Sequence, residues 1–214
     1  GGDRATNEIW RIGLSYLTRT SVRPEQVFGS EQVFAPNKCS VVKKMIEKKV
    51  NCPLTSSVGR LFDAVASIIN LRQEITYEAQ AAVELEQLID GRWKMEDGSY
   101  EYEIIKDEID VKKMIWGIVN DLKNQTLKNK ISAKFHNTLA KIILDICKKL
   151  KKETKINKVA LSGGVFQNSV LLEKAVKLLK NAGFEVFTNS QVPSNDCGIS
   201  LGQSWIAFKL LTNT

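Results

Sequence analysis

Apolar residues recur every three or four positions along most of this chain. Ile9, Trp10, Leu14 and Leu17 set that rhythm over residues 5–20, and a second such stretch covers 40–50, so the opening third is expected to be helical. A polar, proline-bearing loop at 51–57 then feeds a helix over 59–71, with Leu61, Phe62, Val65, Ile68 and Ile69 on its buried side. Another helix follows at 77–88. Between 91 and 106 the spacing changes to two: Trp93, Met95, Tyr100, Tyr102 and Ile104 alternate around Glu96-Asp97-Gly98-Ser99, which predicts a hairpin. Helical spacing resumes at 110–122 and runs long at 127–150. The ending has another order: a short apolar strand at 158–161, the turn Ser162-Gly163-Gly164, a helix over 165–181, a strand at 184–187, a polar loop to Asp196 and a last apolar helix over 198–211. No internal repeat or low-complexity segment is present.

Composition narrows this picture. The apolar fraction suffices for one large core or two small lobes. No apolar run approaches the roughly 18 residues of a membrane-spanning helix, and the amino terminus lacks a signal-peptide layout, so a cytoplasmic protein without membrane contact is expected. The chain opens on Gly1-Gly2 without Met, which suggests a piece of a longer polypeptide. Cys39, Cys52, Cys147 and Cys197 are dispersed and only one histidine is present, which argues against a disulfide framework and a zinc knuckle. The net charge of +7 favours polyanions. Its lysines fall on helix faces and ends without interleaved aromatics, so they read as a solvated surface and a nucleic-acid partner is not expected.

Three segments can carry chemistry. At Ser162-Gly163-Gly164, missing side chains let an anion approach the backbone and a helix start offers N–H donors; a tight strand-to-helix turn is the equal alternative. Asn168, one helical turn on, can reach a ribose or phosphate oxygen or stand solvated. In the second segment, Thr55, Ser56 and Ser57 precede Gly59 and Arg60. Arg60 can clamp a phosphate or carboxylate, or lie exposed behind a serine cap. Asp63, inside an apolar helix, requires a partner, either ribose hydroxyls or Arg60. Glu84 can hold another ribose hydroxyl. In the third, Asp196 can give an oxygen to a metal that bridges phosphates, or Asn195 or Asp196 can cap the last helix. His136 reads as a core-edge residue and Cys197 as incidental.

Taken together, TSSVGRLFDAVA from Thr55, YEAQAAVELE from Tyr77, FHNTLA from Phe135, LSGGVFQN from Leu161 and VPSNDCGISLGQ from Val192 resemble the HypF carbamoyltransferases of NiFe-hydrogenase maturation, in their TsaD-like domain. The resemblance, which also takes in Gly1-Gly2-Asp3 and Trp10-Arg11, runs through the whole chain. It implies an α/β fold of the actin/Hsp70/sugar-kinase, ribonuclease H-like type with extra helices, of which this is a partial domain, mainly helical to 155. It implies an adenosine nucleotide in a cleft, bound by Ser56, Gly59, Arg60, Asp63, Gln80, Glu84, Ser162, Gly163, Gly164 and Asn168. It further implies ATP or carbamoyl-adenylate as cofactor, a carbamoyl transfer to the carboxyl-terminal Cys of HypE, and a divalent metal (Zn, Fe or Mg) held by Asp196 and by histidines upstream of Gly1. With those histidines outside this chain, weak or no metal binding and no activity are expected of it alone. Family members carry Gly where Ala79 and Cys197 stand. An O-carbamoyltransferase, a TsaD-type tRNA modifier and a non-catalytic nucleotide- or RNA-binding module are the alternatives.

Overall fold

The structure, a computed structural model, describes residues 2–20, 22, 27, 36–89 and 98–212. The chain divides into two compact units, Gly1–Thr138 and Leu139–Thr214.

In the first unit the elements are α1 (Gly2–Asn7), α2 (Trp10–Arg19), α3 (Pro36–Glu47), α4 (Val58–Ile68), α5 (Gln80–Gln87), β1 (Glu103–Ile105), β2 (Glu108–Asp110), α6 (Lys112–Lys123) and the start of α7 (Lys128–Thr154). The core is Leu14 and Leu17 from α2, Phe62 and Ile68 from α4, Leu85 from α5, Ile115 and Ile118 from α6, and Ile131 and Phe135 from α7, all essentially inaccessible. The helix expected over 5–20 is broken at Glu8-Ile9 for a non-local reason. The Trp10 N–H donates to the Gln73 carbonyl (3.2 Å) and the Asn7 carbonyl accepts from Ile75 N–H (2.8 Å), so the loop after α4 takes bonds a continuous helix would need. Gly13 lets α2 approach α4: a Cβ there would come within 2.7 Å of the Ser67 hydroxyl.

Helix α4 ends at Ile68, and two residues on the left-handed backbone of Asn70 (φ 51°) lets Leu71 N–H bond back to the Ala66 carbonyl (2.9 Å). The expected helix over 77–88 begins only at Gln80, because Ala79 is left-handed (φ 63°). The predicted hairpin over 91–106 is described only from Gly98 on. Its first arm, with Trp93, Met95, Glu96 and Asp97, lies outside the described residues, and residues 98–102 form no strand. Their backbone groups are bonded by α7 instead: Asn137 Nδ2 donates to the Gly98 carbonyl (2.8 Å), and Tyr100 N–H donates to Thr138 Oγ1 (2.8 Å). The hairpin that is described pairs β1 with β2 antiparallel, Glu103 opposite Asp110, around Lys106-Asp107. Asp110 ends β2 and accepts the Lys112 N–H (2.8 Å), which moves the start of α6 two residues past the expected one.

The second unit is a strand-turn-helix-strand arrangement, as its hydrophobic pattern predicts. After the remainder of α7 come β3 (Lys158–Leu161), a 3-10 turn (Gly164–Gln167), α8 (Ser169–Asn181), β4 (Glu185–Thr188), a 3-10 turn (Asp196–Gly198) and α9 (Ile199–Thr212). Strands β3 and β4 are parallel, Leu161 opposite Thr188, which requires the α8 crossover. Leu161, Ala175, Leu179 and Phe184 form the core, with Ile143, Leu144 and Cys147 of α7 against them. Gly183 (φ 79°) ends α8, with Phe184 N–H returned to the Leu179 carbonyl. The residues of α9 are exposed, Leu201, Trp205, Ile206, Phe208 and Leu210 among them, and Trp205 stacks on Phe208. Among the described residues no helix is long and apolar enough to cross a membrane.

Candidate functional site

The candidate residues fall on both units. In the first, Ser57 caps α4: its hydroxyl accepts the Arg60 N–H (3.4 Å), and its own N–H goes to Thr55 Oγ1 (3.1 Å). Ser56 and Gly59 are exposed beside this cap. One turn into the helix, Arg60 Nη1 pairs with Asp63 Oδ2 at 3.1 Å, so of the two partners considered for Asp63 the intrahelical arginine is in place. Asp63 sits between Phe62 and Ala64 with its side chain 4% exposed.

Burial pushes the Asp63 carboxyl up to about 6, against the pull of Arg60. The sign follows from linkage. Between the ordinary value of 3.8 and about 6 the folded chain keeps a proton there that the unfolded chain has lost. This contribution to stability is therefore full below the unfolded value and is lost as pH rises through about 6. Melting temperature followed from pH ~4 to ~7 should show a falling component that Asp63→Asn abolishes; identical pH profiles for the two proteins would contradict it.

The beginning of α5 carries Gln80 and Glu84. Gln80 is buried, its Oε1 accepting the Thr76 N–H (2.9 Å) and hydroxyl (3.2 Å), and its Nε2 donating to Glu84 Oε1 (3.1 Å). The other Glu84 oxygen accepts from Arg72 Nε. Arg72 and Thr76 escaped the sequence reading because they lie in a loop without apolar rhythm; no local signal marks them. Ala79, just before α5, holds a left-handed conformation that costs an L-residue about 1–2 kcal/mol. Glycine at this position, which the family resemblance also carries, should raise the stability of the chain by about 1 kcal/mol. Thermal or urea unfolding of Ala79→Gly checks this; unchanged or lower stability would refute it.

In the second unit, β3 ends at Leu161 and the exposed Ser162-Gly163-Gly164 turn follows. Gly163 has φ 106° and ψ 160°, a region essentially closed to residues with a Cβ. Its N–H donates to the Ser194 carbonyl (2.7 Å), tying the glycine turn to the loop before α9. Donors for an anion must therefore come from the following residues, at the start of the 3-10 turn. A Cβ on Gly163 or Gly164 would meet no atom within 4 Å, so the space over the turn is open. A recess of about 300 Å³ lies alongside, lined by Leu161, Phe166, Thr188, Val192 and Ser194.

The helix expected over 165–181, directly after the glycines, starts four residues later, at Ser169. Asn168 is its N-cap, buried, with Oδ1 accepting the Leu171 N–H (2.8 Å). It is thus neither on the first helical turn nor solvated. Asn195 caps the second 3-10 turn by accepting the Cys197 N–H (3.2 Å), and Asp196 stands exposed. Cys197 has no left-handed backbone, so the glycine of the family pattern is not required there. No group of three or more His, Cys, Asp or Glu side chains able to hold a metal occurs among the described residues. His136 is wholly buried, deeper than the core-edge position expected, and its Nδ1 donates to the Ser132 carbonyl (2.8 Å).

Residues 1–203 match a family model described as the carbamoyltransferase Kae1-like domain, second subdomain. The chain is 32% identical over 206 residues to the probable carbamoyltransferase HypF of Methanocaldococcus jannaschii, covering 95% of this chain and 26% of that protein. It is 37% identical over 167 residues to the carbamoyltransferase HypF of a Synechocystis species, covering 75% and 20%. A crystal structure of full-length HypF in a phosphate- and nucleotide-bound form superposes with a TM-score of 0.86 and 41% identity, over 99% of this chain and 33% of that one. The T. kodakarensis HypF structure shares the fold at a TM-score of 0.79 and 23% identity. The chain therefore spans about a quarter of the length of the first of these curated relatives.

Proposed function

The chain belongs to the HypF carbamoyltransferase family, as a Kae1-like second subdomain, and from that premise we propose that it binds an adenosine nucleotide within a carbamoyl-transferring enzyme. The observation that carries this is the likeness, over nearly the whole chain, to a HypF solved with phosphate and nucleotide bound, joined to the open glycine turn after β3.

The roles follow from the chemistry of each group. Backbone donors after Gly163 and Gly164 face phosphate oxygens; Ser162 adds a hydroxyl. Asp63 and Glu84 accept from ribose hydroxyls, and Arg60 holds the Asp63 carboxylate in place against the upward push of burial. Asn168 acts through the start of α8, which it caps. In the transfer, the carboxyl-terminal Cys thiolate of a HypE-type acceptor attacks the carbamoyl carbon of carbamoyl-adenylate. The bond from that carbon to the bridging phosphate oxygen breaks, and AMP leaves with the electron pair. Donors held rigidly at the glycine turn stabilise the negative charge that gathers on the phosphate. No side chain of this chain forms a covalent bond. The described residues do not by themselves fit a divalent metal, since Asp196 offers a single exposed carboxylate.

Calorimetric titration with ATP and with a non-transferable carbamoyl-adenylate analogue tests the reading. Saturable binding is expected, weakened about tenfold or more by Asp63→Ala, the size of one charged hydrogen bond, and weakened by Asn168→Ala through loss of the α8 cap. An absence of binding, or affinities unmoved by both changes, would sink it.

A further inference from the structure

The least explained arrangement in the first unit is the one around Glu84. Arg72 reaches twelve residues forward in sequence, from the loop after α4, to place its Nε on Glu84 Oε2. A partly exposed pair of this kind contributes little to stability. Here, however, the second oxygen is also fixed. Gln80 Nε2 donates to Glu84 Oε1, and the amide cannot turn round, because its Oε1 accepts the Thr76 backbone N–H and hydroxyl, and an N–H can only donate. Buried Gln80 thus sets one oxygen from within α5 and Arg72 sets the other from outside it, while the Glu84 side chain stays 23% exposed.

We propose that Arg72 is a positioning residue that, with Gln80, holds the Glu84 carboxylate ready to accept the ribose hydroxyls of the nucleotide, an assignment that rests on the function proposed above. The chemistry favours this ligand group. A carboxylate is an acceptor only, with about four lone-pair directions, and the two held by Gln80 and Arg72 leave the rest for neutral donors. A vicinal diol donates two hydrogen bonds; a phosphate oxygen donates none and is repelled.

A merely structural clasp would pin the loop after α4 to α5 and affect every ligand alike. The two roles separate in a titration of the full chain with ADP and with 2′,3′-dideoxy-ADP, using wild type, Arg72→Gln and Arg72→Lys. Expected is a loss of about tenfold in ADP affinity for Arg72→Gln, with dideoxy-ADP bound as in wild type and partial recovery in Arg72→Lys, which keeps a cation but not the side-on Nε. Equal weakening of both nucleotides, or no change in either, overturns the assignment while leaving the nucleotide reading standing. If wild type binds neither nucleotide, the reading and the assignment fall together.

Discussion

Phe62→Ala is expected to remove about 3–5 kcal/mol of folding stability from the first unit, a loss typical of truncating a fully buried aromatic. Phe62 is 1% exposed and lies midway along α4. Its ring meets Phe135 edge-on at 4.9 Å and His136 at 5.3 Å, both on α7, so truncation removes the buried surface and two aromatic contacts together. The neighbouring His136 cannot follow into the gap, because its Nδ1 is held by the Ser132 carbonyl and the Ser132 hydroxyl by the Leu85 carbonyl (2.6 Å). Asp63 is the next residue, so the same packing fixes the helix that presents the Arg60–Asp63 pair. Urea unfolding checks the loss; a value under about 1 kcal/mol would mean that this cluster is not packed as described.

At the glycine turn the expected loss has a different source. Gly163→Ala should cost about 1–3 kcal/mol, although a Cβ there would touch nothing within 4 Å. The cost is conformational: φ 106° with ψ 160° is nearly closed to alanine, and relaxing it breaks the bond from Gly163 N–H to the Ser194 carbonyl. Gly164 is the control. It has no left-handed backbone and equally open surroundings, so Gly164→Ala should fold as stably as the parent or slightly better, through a less flexible unfolded chain. A Gly163→Ala protein as stable as Gly164→Ala in thermal unfolding would refute this account of the turn.

How far these features could be read from sequence depends on whether their causes are local. The strand, glycine turn, helix and second strand of the second unit are legible because short apolar runs, two glycines and a helical repeat each act within a few positions. So is the α4 helix, down to its serine cap and its buried carboxylate. The break before Trp10 is not, since its cause is Gln73 and Ile75 across the unit. The absence of a strand over 98–102 likewise depends on Asn137 and Thr138 of α7 claiming the backbone at Gly98 and Tyr100. At Asn168 the residue type is legible, since Asn is a common N-cap, but the 3-10 turn that delays the helix to Ser169 is not. Arg72 had no signal at all, because a loop arginine acquires its meaning only when folding brings Glu84 to it.

Whether the glycine turn after β3 receives the phosphates of an adenosine nucleotide can be decided by titrating ADP into wild type and Gly164→Ala and following both by thermal unfolding. Expected are saturable binding to wild type, binding lost or weakened at least about tenfold in Gly164→Ala, and melting temperatures that agree without ligand, since the added methyl meets no atom within 4 Å. Equal affinity in the two proteins, or no saturable binding to wild type, would contradict it.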